Sequence, residues 1–211
     1  MKKAAEEIRK SIEQRPEGVP FLVMEFLRFG PRTAVDKALS RLAKEGMIMR
    51  AARGVYVRPE RSQWVPAPVP PPLSRVVSVI AERTGEKLQV NGAEAANQLH
   101  LSTQMPMRPM YYTSGSSRTV EVLGTKVTLR RASPRKLMLA GTPAGVAVSA
   151  LWYLGRKQVN GTVIRRIKQT LPPEEFEALT SVAHMMPSWM AEPIYKHSKR
   201  AAHAGASQSA A

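Results

Sequence analysis

The side chains best suited to chemistry in this sequence are cations, and the chemistry they suit is recognition of phosphates and base edges. Between Pro31 and Glu45, Arg32, Thr33, Lys37, Ser40, Arg41 and Lys44 recur among Val35, Ala38, Leu39 and Leu42. At 100° per residue Thr33, Lys37, Ser40, Arg41 and Lys44 gather on one arc with Asp36, while the aliphatic set gathers on the opposite one. A guanidinium pairs bidentately with guanine, whereas Lys and Ser mostly hold phosphates. Arg50 and Arg53 lie close to a Gly54 turn just downstream and extend the set. For any single residue a solvated helix face is an equally good explanation; the face as a group favours DNA contact.

A second basic cluster, Arg118, Lys126, Arg130, Arg131, Arg135 and Lys136, surrounds a run of alternating Val and Leu. It suits either a second polyanion contact or the protection of an exposed sheet edge, and spacing does not separate the two.

Bond-breaking chemistry has little foothold. His100, His184, His197 and His203 stand far apart, without the paired-His or His-Glu-x-x-His spacing that gathers a metal. No nucleophile elbow, Gly-rich phosphate loop or dinucleotide turn is present. With no cysteine in the chain, thiolate metal sites, iron–sulfur clusters and cysteine nucleophiles are excluded. Glu174 and Glu175 suit a helix start, and Trp152, Trp189, Met185, Met186 and Met190 suit packing. The expectation is a binding protein that needs no cofactor and is not an enzyme.

The elements that must position the first cluster can be read from periodicity. Ile8 and Ile12 mark a short amphipathic helix over Glu6–Gln14, which Pro16 and Gly18 end. Phe21–Phe29 is almost wholly apolar and is expected to be a buried short helix. Pro31 fits a first helical position, Thr33–Glu45 continues the helix, and Gly46 closes it. Met47–Arg50 and Val55–Arg58 then read as a hairpin around Ala51–Gly54. Helix, helix, turn, basic amphipathic helix and hairpin make the order of a winged helix-turn-helix.

Six prolines between Pro59 and Pro72 predict an extended polyproline spacer. Beyond it, Leu73–Glu82 and Ala93–Leu99 have helical spacing. Thr119–Leu123 and Lys126–Arg130 alternate around Gly124-Thr125, with Val120, Val122, Val127 and Leu129 as inward residues and a type II′ turn. Thr142-Pro143 opens a helix that Gly155 ends, and Thr162–Gln169, a segment from Pro172 and Pro187–His197 complete a helical C-terminal part. The fold class is therefore α+β. An N-terminal winged helix-turn-helix (1–60) is followed by a Pro-rich linker (61–72), then a mixed domain with a hairpin and C-terminal helices (73–198). A tail over 199–211, rich in Ala, Ser and Gly, is expected to be disordered.

Charge sets the class of partner. The chain has 32 Lys and Arg against 16 Asp and Glu, a formal net charge of +16, with a basic excess on both sides of residue 60. Such a surface seeks polyanions, of which nucleic acid is the commonest. Met1–Lys10 alternates charges with no apolar core behind it and reads as a helix, not as a signal peptide. Met138–Leu154, broken by Gly141, Pro143 and Gly145, is too short and interrupted for a spanning helix. A cytoplasmic location, without membrane attachment, is expected.

The run Phe29-Gly30-Pro31-Arg32-Thr33-Ala34-Val35-Asp36-Lys37-Ala38-Leu39-Ser40-Arg41-Leu42, followed by Gly46 and Arg53-Gly54-Val55-Tyr56, resembles the AbiEi-type antitoxins. The match is tightest over Gly30–Pro59 and looser over Leu73–Tyr195. The resemblance implies a transcriptional autorepressor of a type IV toxin–antitoxin system, with its winged helix on operator repeats of double-stranded DNA. It also implies a second domain that counters a nucleotidyltransferase-type toxin without forming a stable complex. Two other readings remain open from the residues: a plain winged-helix regulator without a toxin partner, and a basic RNA-binding accessory protein.

Overall fold

A computed structural model of the protein describes residues 2–61, 67–104 and 106–206, with side chains described between 4 and 198. The fold is α+β, as expected. By contacts the chain divides into two compact units. One runs to Gly85 and includes Thr119–Val127; the other comprises Glu86–Arg118 and Thr128 onward. The grouping differs from a division at the Pro-rich segment, because residues beyond that segment return to the first unit.

The first unit begins with helix α1 (Lys2–Glu13), strand β1 (Pro20–Leu22), a 3₁₀ segment over Val23–Phe29, and helix α2 (Arg32–Lys44). Strands β2 (Met49–Ala52) and β3 (Val55–Val57) follow and form a three-stranded sheet in the order β1-β3-β2. Both pairings are antiparallel, with Phe21 opposite Tyr56 and Arg50 opposite Tyr56 on the other side. The short helix expected over Phe21–Phe29 is corrected to a strand followed by a 3₁₀ segment. An apolar run does not distinguish strand from buried helix, and here pairing with β3 satisfies the backbone at Pro20–Leu22. The Glu25 carboxylate then accepts the Leu22 N–H at 2.7 Å and fixes the switch between the two.

The core of this unit is the aliphatic face read from α1 and α2. Ile8, Ile12, Val35, Leu39 and Leu42 are buried around Phe21, Val23, Phe26 and Ile48. Phe21 and Phe26 lie 5.4 Å apart, and the Arg15 guanidinium caps both rings at 4.7 and 5.1 Å. Arg58 donates to the carbonyls of Glu13 and Arg15 at the end of α1 and pairs with Glu17 at 3.1 Å. Arg9 forms an ion pair with Glu45 beyond the end of α2. Arg9, Arg15 and Arg58 therefore hold the unit together.

The Pro-rich stretch is not a straight spacer. Val69 donates its N–H to the Glu60 carbonyl at 2.9 Å, an antiparallel bridge that closes a loop. Val69 has the N–H that the neighbouring prolines lack, which is why the return pairs there. Residues 62–66, part of the expected linker, lie outside the described residues. Helix α3 (Leu73–Glu82) then packs on β1 and β3, and Arg75 donates to the Gly18 carbonyl at 3.1 Å.

The remaining strands are β4 (Leu88–Val90), β5 (Met110–Thr113), β6 (Arg118–Val122) and β7 (Thr125–Arg131), in the sheet order β4-β5-β7-β6. β4 and β5 are antiparallel, whereas β5 and β7 are parallel. The hairpin turn is Leu123-Gly124, not Gly124-Thr125. Both residues have positive φ, 49° and 76°, the signature of a type I′ turn in place of the expected II′. Val122, Val127 and Leu129 are buried; Val120 is only half-buried.

The second unit is mainly helical: α4 (Gly92–Gln98), α5 (Pro143–Gln158), α6 (Gly161–Thr170), α7 (Pro173–Ser181) and α8 (Ser188–Ala206). α5 is its centre, with Ala147, Val148, Ser149, Ala150 and Leu151 buried in succession. α4 lies so close to α5 that a Cβ on Gly92 would meet Tyr153 Cβ at 2.3 Å. Thr142 caps α5 as the sequence suggested, accepting the Gly145 N–H at 3.1 Å, and Gly155 breaks the helix with a φ of 71°. Glu175 accepts the Ala144 N–H at 2.8 Å, so its carboxylate serves the start of α5 as well as the first turn of its own helix. Trp152 and Trp189 pack edge-to-face at 5.9 Å. Met186 and Met190 are buried, but Met185 is exposed. α8 runs through Ala206, into the stretch expected to be a disordered tail, in keeping with the helix propensity of its alanines. Residues 207–211 lie outside the described residues.

Candidate nucleic-acid interface

The cationic arc of α2 is positioned by the burial of the opposite face. With Val35, Leu39 and Leu42 almost wholly enclosed, the 3.6-residue period leaves Thr33, Lys37, Ser40, Arg41 and Lys44 on the exterior, and all of them are exposed. From Thr33 to Lys44 this face is about 16 Å long. Its order is fixed by the core beneath it.

Pro31 is the N-cap of α2, not its first residue, and makes no side-chain cap bond. The first turn contains no acidic residue, so the positive end of the helix dipole has no local carboxylate to offset it. Arg32 is the exception on this face. Its Nε donates to both carboxylate oxygens of Asp36, at 3.0 and 2.9 Å, an i,i+4 pair that leaves the guanidinium half-exposed. By contrast, Lys37, Arg41 and Lys44 have no carboxylate partner among the described residues.

Arg50 and Arg53 are exposed on the β2–β3 hairpin. The strands run closer together than expected and leave Arg53-Gly54 as a two-residue turn, with a bulge between Arg50 and Ala52. Gly54 takes a φ of 76°, and its carbonyl accepts the Val23 N–H at 3.1 Å. The turn is thereby anchored to the 3₁₀ segment that precedes α2. Neither arginine has an ion-pair partner among the described residues.

The residues of the second basic cluster differ in their surroundings. Lys126 belongs to the turn end of the β6–β7 hairpin, grouped with the first unit. Arg118 donates to Glu86 at 2.9 Å, where Glu86 also accepts the Thr113 hydroxyl. Lys136 lies between the rings of Tyr112 and Trp152, with Nζ 5.9 and 5.8 Å from their centroids. Arg130, Arg131 and Arg135 remain exposed.

Arg83, at the C-cap of α3, was not singled out by the sequence. A Cβ on Gly54 would sit 3.6 Å from its Nη1, so the guanidinium lies against the β2–β3 turn. No spacing rule links residue 83 to residue 54; only the packing of α3 brings them together. Burial pushes the Tyr111 phenol above its ordinary value of 10.0, and the Glu94 carboxylate adds to the push. Among the described residues no group of three or more His, Asp or Glu side chains could hold a metal ion, and no helix is long and apolar enough to cross a membrane.

No curated protein matches the chain. The crystal structure of the RV2827C protein from Mycobacterium tuberculosis aligns over 92% of this chain and 78% of that one, at 14% identity and a TM-score of 0.44. That likeness is too loose to carry a structural argument. Residues 7–179 match the model of a family of unknown function, DUF6088, and the chain belongs to that family.

Proposed function

We propose that this protein binds duplex DNA through a winged helix-turn-helix formed by residues 1–60. In this reading α2 is the recognition helix, laid in a major groove about 12 Å wide. The β2–β3 hairpin is the wing, and Arg50 and Arg53 hold the flanking backbone. One observation carries the reading: Lys37, Arg41 and Lys44 line the exterior of a helix whose other face is the core, and none has a carboxylate partner among the described residues. Unneutralised cations in a row are costly to gather unless a polyanion completes them. The element order and the sheet order β1-β3-β2 support the same assignment.

The resemblance of Gly30–Pro59 to AbiEi-type antitoxins extends the proposal to a cytoplasmic autorepressor acting on operator repeats. The domain over 73–198 would counter a nucleotidyltransferase-type toxin without a stable complex, and the chain would act by binding, not by catalysis.

The test is a mobility-shift series over salt with the gene's own upstream duplex, random duplex and RNA of equal length. Tighter binding of the upstream duplex is expected, with a log–log salt slope of about −4 to −5 if Lys37, Arg41, Lys44, Arg50 and Arg53 each neutralise one phosphate. RNA outcompeting both duplexes would overturn the DNA reading. Co-expression with a nucleotidyltransferase-type toxin, sought in the reading frame beside the gene, tests the antitoxin part separately; no such frame, or growth that is not restored, would remove it.

A further inference from the structure

Within the first unit, beside the β2–β3 turn, lies a cleft of about 570 Å³ that shares Arg50 and Arg53 with the proposed DNA contact and extends beyond it to Arg83 and Glu121. Arg50 and Arg53 of the hairpin, Arg83 of α3 and Glu121 of β6 line it, with Ile80 and Val120 supplying apolar surface. One wall is set by a main-chain hydrogen bond, Leu123 N–H to the Ala51 carbonyl at 2.8 Å, which pins the β6–β7 turn against β2.

We infer that this cleft binds a small phosphate-bearing ligand of nucleotide size, with its phosphates on Arg50, Arg53 and Arg83. None of these guanidiniums has a hydrogen-bond or ion-pair partner among the described residues, so the cleft gathers like charges that an anion would offset. Guanidinium forks match phosphate oxygens bidentately, which favours phosphate over a simple halide. Glu121 and the negative end of the α3 dipole oppose an anion, but one carboxylate against the guanidiniums leaves the cleft positive. Glu121 also offers an acceptor for a ligand hydroxyl. The volume falls within the roughly 300–1,000 Å³ of small-molecule sites, and the Ile80 and Val120 surface suits a planar ring. A duplex can touch only the mouth of such a cleft.

The regulatory consequence rests on the winged-helix reading. Arg50 and Arg53 are shared between wing and cleft, so an occupied cleft draws them from DNA and weakens duplex binding.

The test uses the full chain and a fluorescent ADP analogue at low salt, with inorganic pyrophosphate and adenosine as competitors. Saturable binding of one ADP per chain is expected, displaced by pyrophosphate and not by adenosine. Arg83→Ala, a change at an exposed side chain outside the proposed DNA contact, should weaken it about tenfold or more. Val120→Trp should block ADP and spare pyrophosphate, with circular dichroism confirming the fold of each variant. No saturable binding up to several millimolar, or binding undiminished in Arg83→Ala, overturns the proposal. In mobility shifts ADP should weaken the wild-type complex and leave that of Arg83→Ala unchanged. ADP binding that is sensitive to Arg83 in a chain that shifts no duplex would sink the winged-helix reading and keep the cleft. A specific shift with no ADP binding would do the reverse.

Discussion

The two basic regions of this chain contain the same residue types, and some of their cations stand in opposite surroundings. On α2, Lys37, Arg41 and Lys44 point outward from a helix whose inner face is closed, and no carboxylate answers them among the described residues. In the second unit Arg118 is held by Glu86, and Lys136 by the rings of Tyr112 and Trp152. A cation's role is decided by what packing places within reach of it. Cations left unanswered in a row are available to a partner; answered ones brace the fold.

That comparison can be broken most directly at α2. The double reversal Lys37→Glu, Arg41→Glu should lower duplex affinity about a hundredfold or more while leaving thermal stability close to wild type, measured by mobility shift and by calorimetry. Unchanged affinity would mean that the unpaired face does not bind DNA.

The opposite pattern is expected at Arg118. Arg118→Ala removes the charge-assisted hydrogen bond to Glu86, whose side chain is only 13% exposed, and should cost about 1–2 kcal/mol in denaturant unfolding. Duplex affinity should change less than about twofold, because this cation is already engaged. A large loss of affinity with intact stability would move Arg118 into the binding surface.

The smallest effect sharpens the second unit alone. Because the Tyr111 phenol is held protonated above its ordinary value of 10.0, the folded state binds its proton more tightly than the unfolded state does. Its contribution is complete below that value and is lost as pH rises through the folded one. Tyr111→Phe should therefore flatten the fall in melting temperature between about pH 9 and 11. An unchanged slope would show that burial at this position does not matter.

Much of the first unit was legible because periodicity is a local property. The 100° rotation per residue was enough to assign Val35, Leu39 and Leu42 inward and Lys37 and Arg41 outward, and Gly46 closes α2 with a φ of 73°. Leu73–Glu82 was read to the residue as a helix. What failed depended on distant partners. Phe21 joined a strand because β3 was there to pair with it. The Arg32–Asp36 pair is of the other kind, local and visible in the sequence as an i,i+4 spacing, though the reading of the whole face did not use it.

The sequence by itself determined the faces of α1 and α2, the existence of the two hairpins though not their turns, and the excess of positive charge, since each follows from residue type and spacing along a single element. Tertiary structure decided which cations are engaged and where Arg83 and the β6–β7 turn lie, because those depend on side chains brought together from distant parts of the chain. A period can say which way a side chain points; only packing says what it meets.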